Sequence, residues 1–263
     1  MALASGDALG GLTAFDHGYA AFGRVLAAAV RGDRVDYRNL AANRADLDTA
    51  VAAFDAPATH ALETWTRPQQ LAFWINAYNA FTLQAIVGHY PIQRRRFSLH
   101  PASSIRQIPG VWDRLTWRAA GRTVTLDEIE HAIIRPGFDE PLIHFAVNCA
   151  SVSCPPLAAE PYRAATLEAQ LEAAAERYLA SPHGLQRVGR LWRVSSLFKW
   201  YGDDFVDRFA QDDARARSAR DGAIQSVIET YGPPDIRTVV NGRIRIAFIA
   251  YDWSLNDIEE THR

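Results

Sequence analysis

Residues 66–91, "TRPQQLAFWINAYNAFTLQAIVGHYP", decide how this chain must fold. Thr66 suits the N-cap of a helix, Pro68 its first turn, and Gly88 with Pro91 its end. Between them the segment is apolar on nearly every face, which predicts a central helix enclosed by the rest of the molecule. Asn76 and Asn79 stand three apart on it, so their amides project from neighbouring points of one helical face. Burying an unpaired amide costs about 1–3 kcal/mol. Each must therefore be well bonded or serve a function.

Working outward, Phe15, Tyr19, Phe22, Val25 and Leu26 recur at helical spacing and predict a first helix over 14–30, stopped at Gly32 and Asp33. A second helix is expected over about 39–54, before Pro57. Beyond the central helix, "LTWRAAGRTVTL" alternates around Gly121 and predicts a hairpin. Thr125 followed by Glu128 is a capping box for the helix "LDEIEHAIIR", which should stop at Pro136-Gly137. The short apolar run "PLIHFAVNC", 141–149, predicts a buried strand. A helix over 166–179, a hairpin in "GLQRVGRLWRVS", helices in "SSLFKWYGDDFVDRF" and over 214–231, and a closing strand in "GRIRIAFIAYDW" follow.

Helices and strands cluster instead of alternating, which favours an α+β fold: a single domain with the central buried helix packed on a mostly antiparallel sheet and helices at the periphery. With 263 residues, 48% of them hydrophobic and 22% charged, the chain has material for a sizeable core. The domain is expected over 13–258, between flexible ends at 1–12 and 259–263. A net charge of −2 argues against a nucleic-acid partner, and the run Arg94-Arg95-Arg96 reads as a solvated loop. No apolar run reaches the roughly 18–20 residues of a membrane span. No glycine-rich phosphate loop opens a helix after a strand, so no nucleotide or other cofactor is expected. Ala2-Leu3-Ala4 looks like the small-residue end of a signal peptide lacking its charged and apolar parts, which points to a periplasmic or secreted protein, with a cytoplasmic one as the alternative.

Both cysteines lie in "IHFAVNCASVSCPPL", 143–157. Cys149 and Cys154 could be a catalytic thiol and its neighbour, a short disulfide ring, two ligands of a metal completed by His144, or buried filler. If residues 141–149 form a strand, the two-residue alternation sends His144 and Cys149 to opposite faces. A bend before Cys149 would be needed to bring them together.

Taken together, "FDHGYAAF", "VDYRNL", "FWINAYNAFTLQA", "TLDEIEHAIIR", "IHFAVNCASVSCPPL", "SSLFKWYGDDF" and "YDWSLN" resemble the bacterial and plant family of domain of unknown function 547. The resemblance implies a single α+β domain, and bacterial members often carry export signals. Its pattern falls on Trp74, Asn76, Tyr78, Asn79, Glu130, His131, His144, Cys149, Asp252 and Trp253. Plant relatives often lack a cysteine matching Cys154, which favours Cys149 as the working thiol.

The leading expectation is a thiol-dependent hydrolase or acyl transferase acting on a small-molecule or peptide substrate. Cys149 is the nucleophile and Cys154 the second choice; His144 is the base or orienter, with His131 in reserve. Asn76 and Asn79 would position a histidine or donate to an oxyanion, and Asp252 would orient an imidazole. The rival is a non-enzymatic ligand- or protein-binding module with a buried polar network, its groove lined by Trp112, Trp117, Trp192 and Trp200. The third alternative is a metal site at His144, Cys149 and Cys154.

Overall fold

The computed structural model describes residues 15–189, 191–210, 218–237 and 245–258. The expected terminal segments 1–12 and 259–263, and with them Ala2-Leu3-Ala4, lie outside these, as do the expected beginnings of the helix at 214 and of the strand at 242. The fold opens with α1 (Ala20–Ala29), the two-residue strands β1 (Val30–Arg31) and β2 (Arg34–Val35), then α2 (Tyr37–Ala42), α3 (Arg44–Ala53) and α4 (Thr59–Thr64). The single helix expected over 39–54 is two. Asn43 leaves helical geometry at φ −114° and ψ 39°, and its amide bonds the Asn39 carbonyl at 3.1 Å, the local competition that makes asparagine a poor helix-interior residue.

α5 (Arg67–Val87) is the central helix. The Thr66 hydroxyl accepts from the Gln69 N–H at 3.4 Å, and the Gln69 side chain accepts from the Thr66 N–H at 2.9 Å, a complete capping box. From Leu71 to Val87 only Gln84 escapes full burial. Phe73 and Phe81 meet Phe54 edge-on, and Phe81 stacks on Trp117 at 5.4 Å. Each such ring contributes about 1.5–3 kcal/mol through burial.

Next come β3 (Trp117–Ala119) and β4 (Arg122–Val124), an antiparallel hairpin whose two-residue loop, Ala120 and Gly121, has φ of 50° and 72°. Both positive angles match the right-handed strand twist, and glycine adopts its own at no steric cost. The segment Glu128–Ile134 is π-helical and continues into α6 (Arg135–Phe138), ending at the left-handed Asp139. The expected stop at Pro136-Gly137 is therefore overrun: the helical run carries on through both residues to the left-handed Asp139.

Residues 141–149 are not a strand. Pro141–Phe145 form a 3-10 turn, with the Glu140 carboxylate accepting from the Leu142 N–H at 3.0 Å. The remaining elements are α7 (Leu167–Leu179), β5 (Leu185–Val188), β6 (Leu191–Val194), α8 (Leu197–Tyr201), a 3-10 turn at Gly202–Phe205, α9 (Val206–Phe209), α10 (Ala219–Tyr231), α11 (Pro234–Arg237) and β7 (Arg245–Phe248). β5 and β6 are antiparallel, and β7 joins β6 in parallel.

The α+β class holds, with helices and small separate sheets around one core. α5 is enclosed chiefly by α3, the π-helical segment, a 3-10 turn at Ala164–Thr166 and α2. No described helix is long and apolar enough to cross a membrane. After β7 the chain runs through Asp252–Asp257 against two distant parts of the fold: Val152 donates to Ser254 at 2.8 Å, Asn256 to Ala150 at 3.1 Å, and Val35 to Asn256 at 2.9 Å. This last segment fixes one wall of the site.

Candidate functional site

The 3-10 turn at Pro141–Phe145, the π-helical segment, α8 and the closing segment surround a cavity of about 380 Å³. His131, His144, Cys149 and Cys154 all line it, together with Glu130 and Tyr78. Because the expected strand is a turn followed by a loop, the alternation that would have sent His144 and Cys149 apart does not apply.

The loop carrying Cys149 is held from below. Asn79 donates from Nδ2 to the Ala146 carbonyl at 3.0 Å and accepts from the Asn148 N–H at 2.8 Å. Asn148 in turn donates to the Pro155 carbonyl at 2.7 Å and accepts from the Ala150 N–H at 2.9 Å. Ala150 is left-handed at φ 59°, a conformation costing a non-glycine residue about 1–2 kcal/mol. Strain of this kind, over-determined by surrounding bonds and directly beside a thiol, marks a constrained site.

Both cysteines are free thiols. Cys149 is half-buried, whereas Cys154 is 6% exposed and its sulfur accepts from the Cys149 N–H at 3.0 Å. The Cys149 sulfur lies 3.2 Å from the Ser151 hydroxyl and 3.3 Å from the Tyr251 hydroxyl. Hydrogen bonding from Cys154 is the largest influence on Cys149. Burial opposes it, Ser151 and Tyr251 reinforce it, and the thiol is lowered to about 7. Burial pushes Cys154 and Tyr251 well up. The pair thus favours one charge, on Cys149, with Tyr251 retained as a neutral donor.

His144 is 2% exposed, and its Nε2 meets Asp204 Oδ2 at 2.7 Å. Arg135 grips the same carboxylate at 2.6 and 2.7 Å. Burial alone would raise Asp204, but bonds from His144 and Arg135 prevail and hold it well below the usual carboxylate range. Tyr201 stacks on the His144 ring at 4.2 Å. With Nε2 committed to the carboxylate, Nδ1 is the nitrogen left for chemistry. His131 is bound differently: its Nδ1 accepts from Arg135 at 3.2 Å, and its Nε2 is 3.9 Å from Asp127. Burial pushes Tyr78 and Tyr201 up, and the buried Glu130 carboxylate between the two adds to the shift.

Three expected roles are corrected. Asn76 and Asn79 do not line the cavity: Asn76 bonds the backbone N–H and carbonyl of Tyr162 at 2.9 and 2.8 Å, and Asn79 the 146–148 loop, so both amides clamp backbone from outside the space where an oxyanion would form. Asp252 is exposed and accepts from the Ser254 N–H at 2.9 Å, a turn bond; the carboxylate on an imidazole is Asp204. Among the described residues no group of three or more His, Cys, Asp or Glu side chains is arranged to hold a metal ion. The Cys154 sulfur faces an N–H and His144 faces Asp204, which sets aside the metal alternative at His144, Cys149 and Cys154. Of the tryptophans, Trp112 and Trp200 line the cavity, Trp192 is core, and Trp117 is spent on Phe81 and Gln84.

Nothing in the spacing singles out Asp204, Arg135, Ser151 or Tyr251 as site residues. "WYGDDF" and "YDWSLN" mark their neighbourhoods, but neither motif says which acid or which hydroxyl turns inward. The site is thus a free thiol and a carboxylate-held imidazole in one cavity of an α+β domain. Residues 62–179 match the family described as protein of unknown function, DUF547, and the chain contains a domain of that family. Comparison with curated proteins and with solved structures returns no match.

Proposed function

We propose that this protein is a thiol-dependent hydrolase or acyl transferase with Cys149 as nucleophile. The observation that carries the reading is the shared cavity: Cys149, hydrogen-bonded by Tyr251 and Ser151, and His144, oriented through Nε2 by Asp204, line the same space. A nucleophile, a base and a group that orients the base are the parts such catalysis requires.

In this reading the Cys149 thiolate attacks a substrate carbonyl carbon and a C–S bond forms. The scissile C–N or C–O bond breaks as His144, protonated on Nδ1, gives its proton to the leaving group. A water, or an acceptor amine or alcohol, then attacks the thioester and loses its proton to His144 Nδ1. The C–S bond breaks and the thiolate returns. Tyr251 is placed to stabilise the thiolate at the start and end of this cycle. His131 is the second imidazole of the cavity, with Arg135 donating to its Nδ1.

The rival, a binding module with a buried polar network, gains from the amides of Asn76 and Asn79, each of which donates to and accepts from buried backbone. Reaction with an activated ester separates the two. Intact-mass measurement after brief exposure to p-nitrophenyl acetate is expected to find one acetyl group on Cys149. Cys149→Ala abolishes it, and His144→Gln lets it persist by slowing deacylation. Slow, equal modification of both cysteines, governed by a pKa near the ordinary value of about 8.5, would overturn the reading in favour of the binding module.

A further inference from the structure

We propose that Arg106 is the anion-recognition residue of this cavity and that its natural ligands are acyl compounds carrying a carboxylate several bonds from the attacked carbonyl. The proposal deepens the thiol reading but rests on separate geometry. Arg106 sits in a 3-10 turn, Ile105–Gln107, whose flanking residues are buried. Its N–H donates to Ser104 Oγ at 3.2 Å, and Gln107 donates to the carbonyls of His100 and Pro101 at 3.0 and 2.9 Å. The backbone at Arg106 is therefore fixed.

Its guanidinium carbon lies 3.9 Å from the Trp253 ring centroid and 5.3 Å from that of Trp112. Two indoles hold the planar cation while leaving its N–H edge for a ligand, the geometry in which arginine grips carboxylates. Among the described residues Arg106 has no carboxylate partner. Asp127 faces His131 at 3.9 Å, and Glu130 bears on Tyr78 and Tyr201. Arg106 also borders a second hollow, whose lining includes Arg95 and Arg96, so the arginines gathered there add charge of the same sign.

The aromatic wall sets the spacing. The Cys149 sulfur is 3.3 Å from the Tyr251 hydroxyl, the Tyr251 ring is 4.6 Å from Trp253, and Trp253 carries Arg106. A ligand reaching from sulfur to guanidinium thus runs along two rings, which suits a flat or apolar linker between carbonyl and carboxylate.

The tryptophans make the test optical. Cys149→Ala protein is titrated with 4-acetamidobenzoate and with 4-acetamidobenzamide, its neutral analogue, while indole fluorescence is followed. The carboxylate should quench saturably and bind about ten-fold or more tightly than the amide, with affinity falling as salt rises. Arg106→Gln should erase the difference, and Arg106→Lys should keep part of it. Equal affinity for the two probes, a carboxylate preference surviving in Arg106→Gln, or no saturable quenching by 4-acetamidobenzoate at millimolar concentration would each overturn the proposal. Such a failure alongside rapid acetylation of Cys149 sinks the Arg106 assignment alone. A carboxylate preference without acetylation leaves a binding site and sinks the chemistry.

Discussion

At the residue scale, the unequal treatment of two thiols five positions apart is what the local geometry explains best. Both border the cavity, but Cys154 is buried and its sulfur accepts an N–H, while Cys149 is half-buried with two hydroxyls on its sulfur. Their contributions can be ranked. Cys154 is the largest influence lowering Cys149 to about 7, ahead of Ser151 and Tyr251. Cys154→Ala should therefore raise the Cys149 pKa further than Tyr251→Phe does, and both should move it upward because each removes a bond to the thiolate. The check is the pH dependence of iodoacetamide alkylation, resolved by peptide mapping. In the unaltered protein the Cys149 rate should climb through about 7. An unchanged midpoint in both variants would mean that burial, not hydrogen bonding, governs this thiol. Cysteine, histidine and asparagine could be picked from the sequence because their residue types announce chemistry. Nothing in "CASVSC" says which sulfur is enclosed, since that depends on Tyr251 arriving from the far end of the chain.

At the element scale, α5 and the loop over 146–150 act as one unit, joined by Asn79. Asn79→Ala leaves the Ala146 carbonyl and the Asn148 N–H without their partner and should cost about 2–3 kcal/mol. It should also change the Cys149 alkylation rate, because that loop carries the thiol. Asn76→Ala should cost a similar amount but spare the rate, since Asn76 holds Tyr162 instead. Thr82, on the same helix, is buried with no partner for its hydroxyl among the described residues. Thr82→Val should then stabilise by about 1 kcal/mol. Urea denaturation of the three variants, with alkylation in parallel, checks all of this; equal effects of the two asparagine changes on Cys149 would dissolve the unit. The helix itself was legible because capping residues, proline and an unbroken apolar run agree. The run 141–149 was not, because a short apolar stretch with β-branched members fits a strand as well as a buried turn. The π-helical segment was equally hidden: its sequence reads as an ordinary capped helix, whereas the Arg135 N–H bonds the Glu130 carbonyl five residues back.

At the scale of the whole molecule, the site is assembled from parts that no sequence window contains. Asp204 is 60 residues from His144, Tyr251 is 102 from Cys149, and the Tyr37 hydroxyl donates to Asn256 across 219 positions at 2.8 Å. Periodicity and capping report local structure, so such pairings leave no trace in spacing. They also bind the chain's regions into one another. The closing segment lies on β2 and on the cysteine loop, and the turn after α8 grips both α6 and the turn bearing His144. The closing segment joins β2 to the cysteine loop, so opening the interior around Cys154 requires releasing these contacts together. Unfolding should then be one cooperative transition, although the chain exceeds the size at which this is routine. The measurement is the urea dependence of Cys154 labelling by a fast thiol reagent in Cys149→Ala protein, compared with far-ultraviolet circular dichroism. Coincident midpoints are expected. Labelling of Cys154 at distinctly lower urea than the loss of helix would mean that the closing segment detaches on its own, in which case the wall bearing Tyr251 and Trp253 is a separable flap and the cavity is not a fixed feature of the fold.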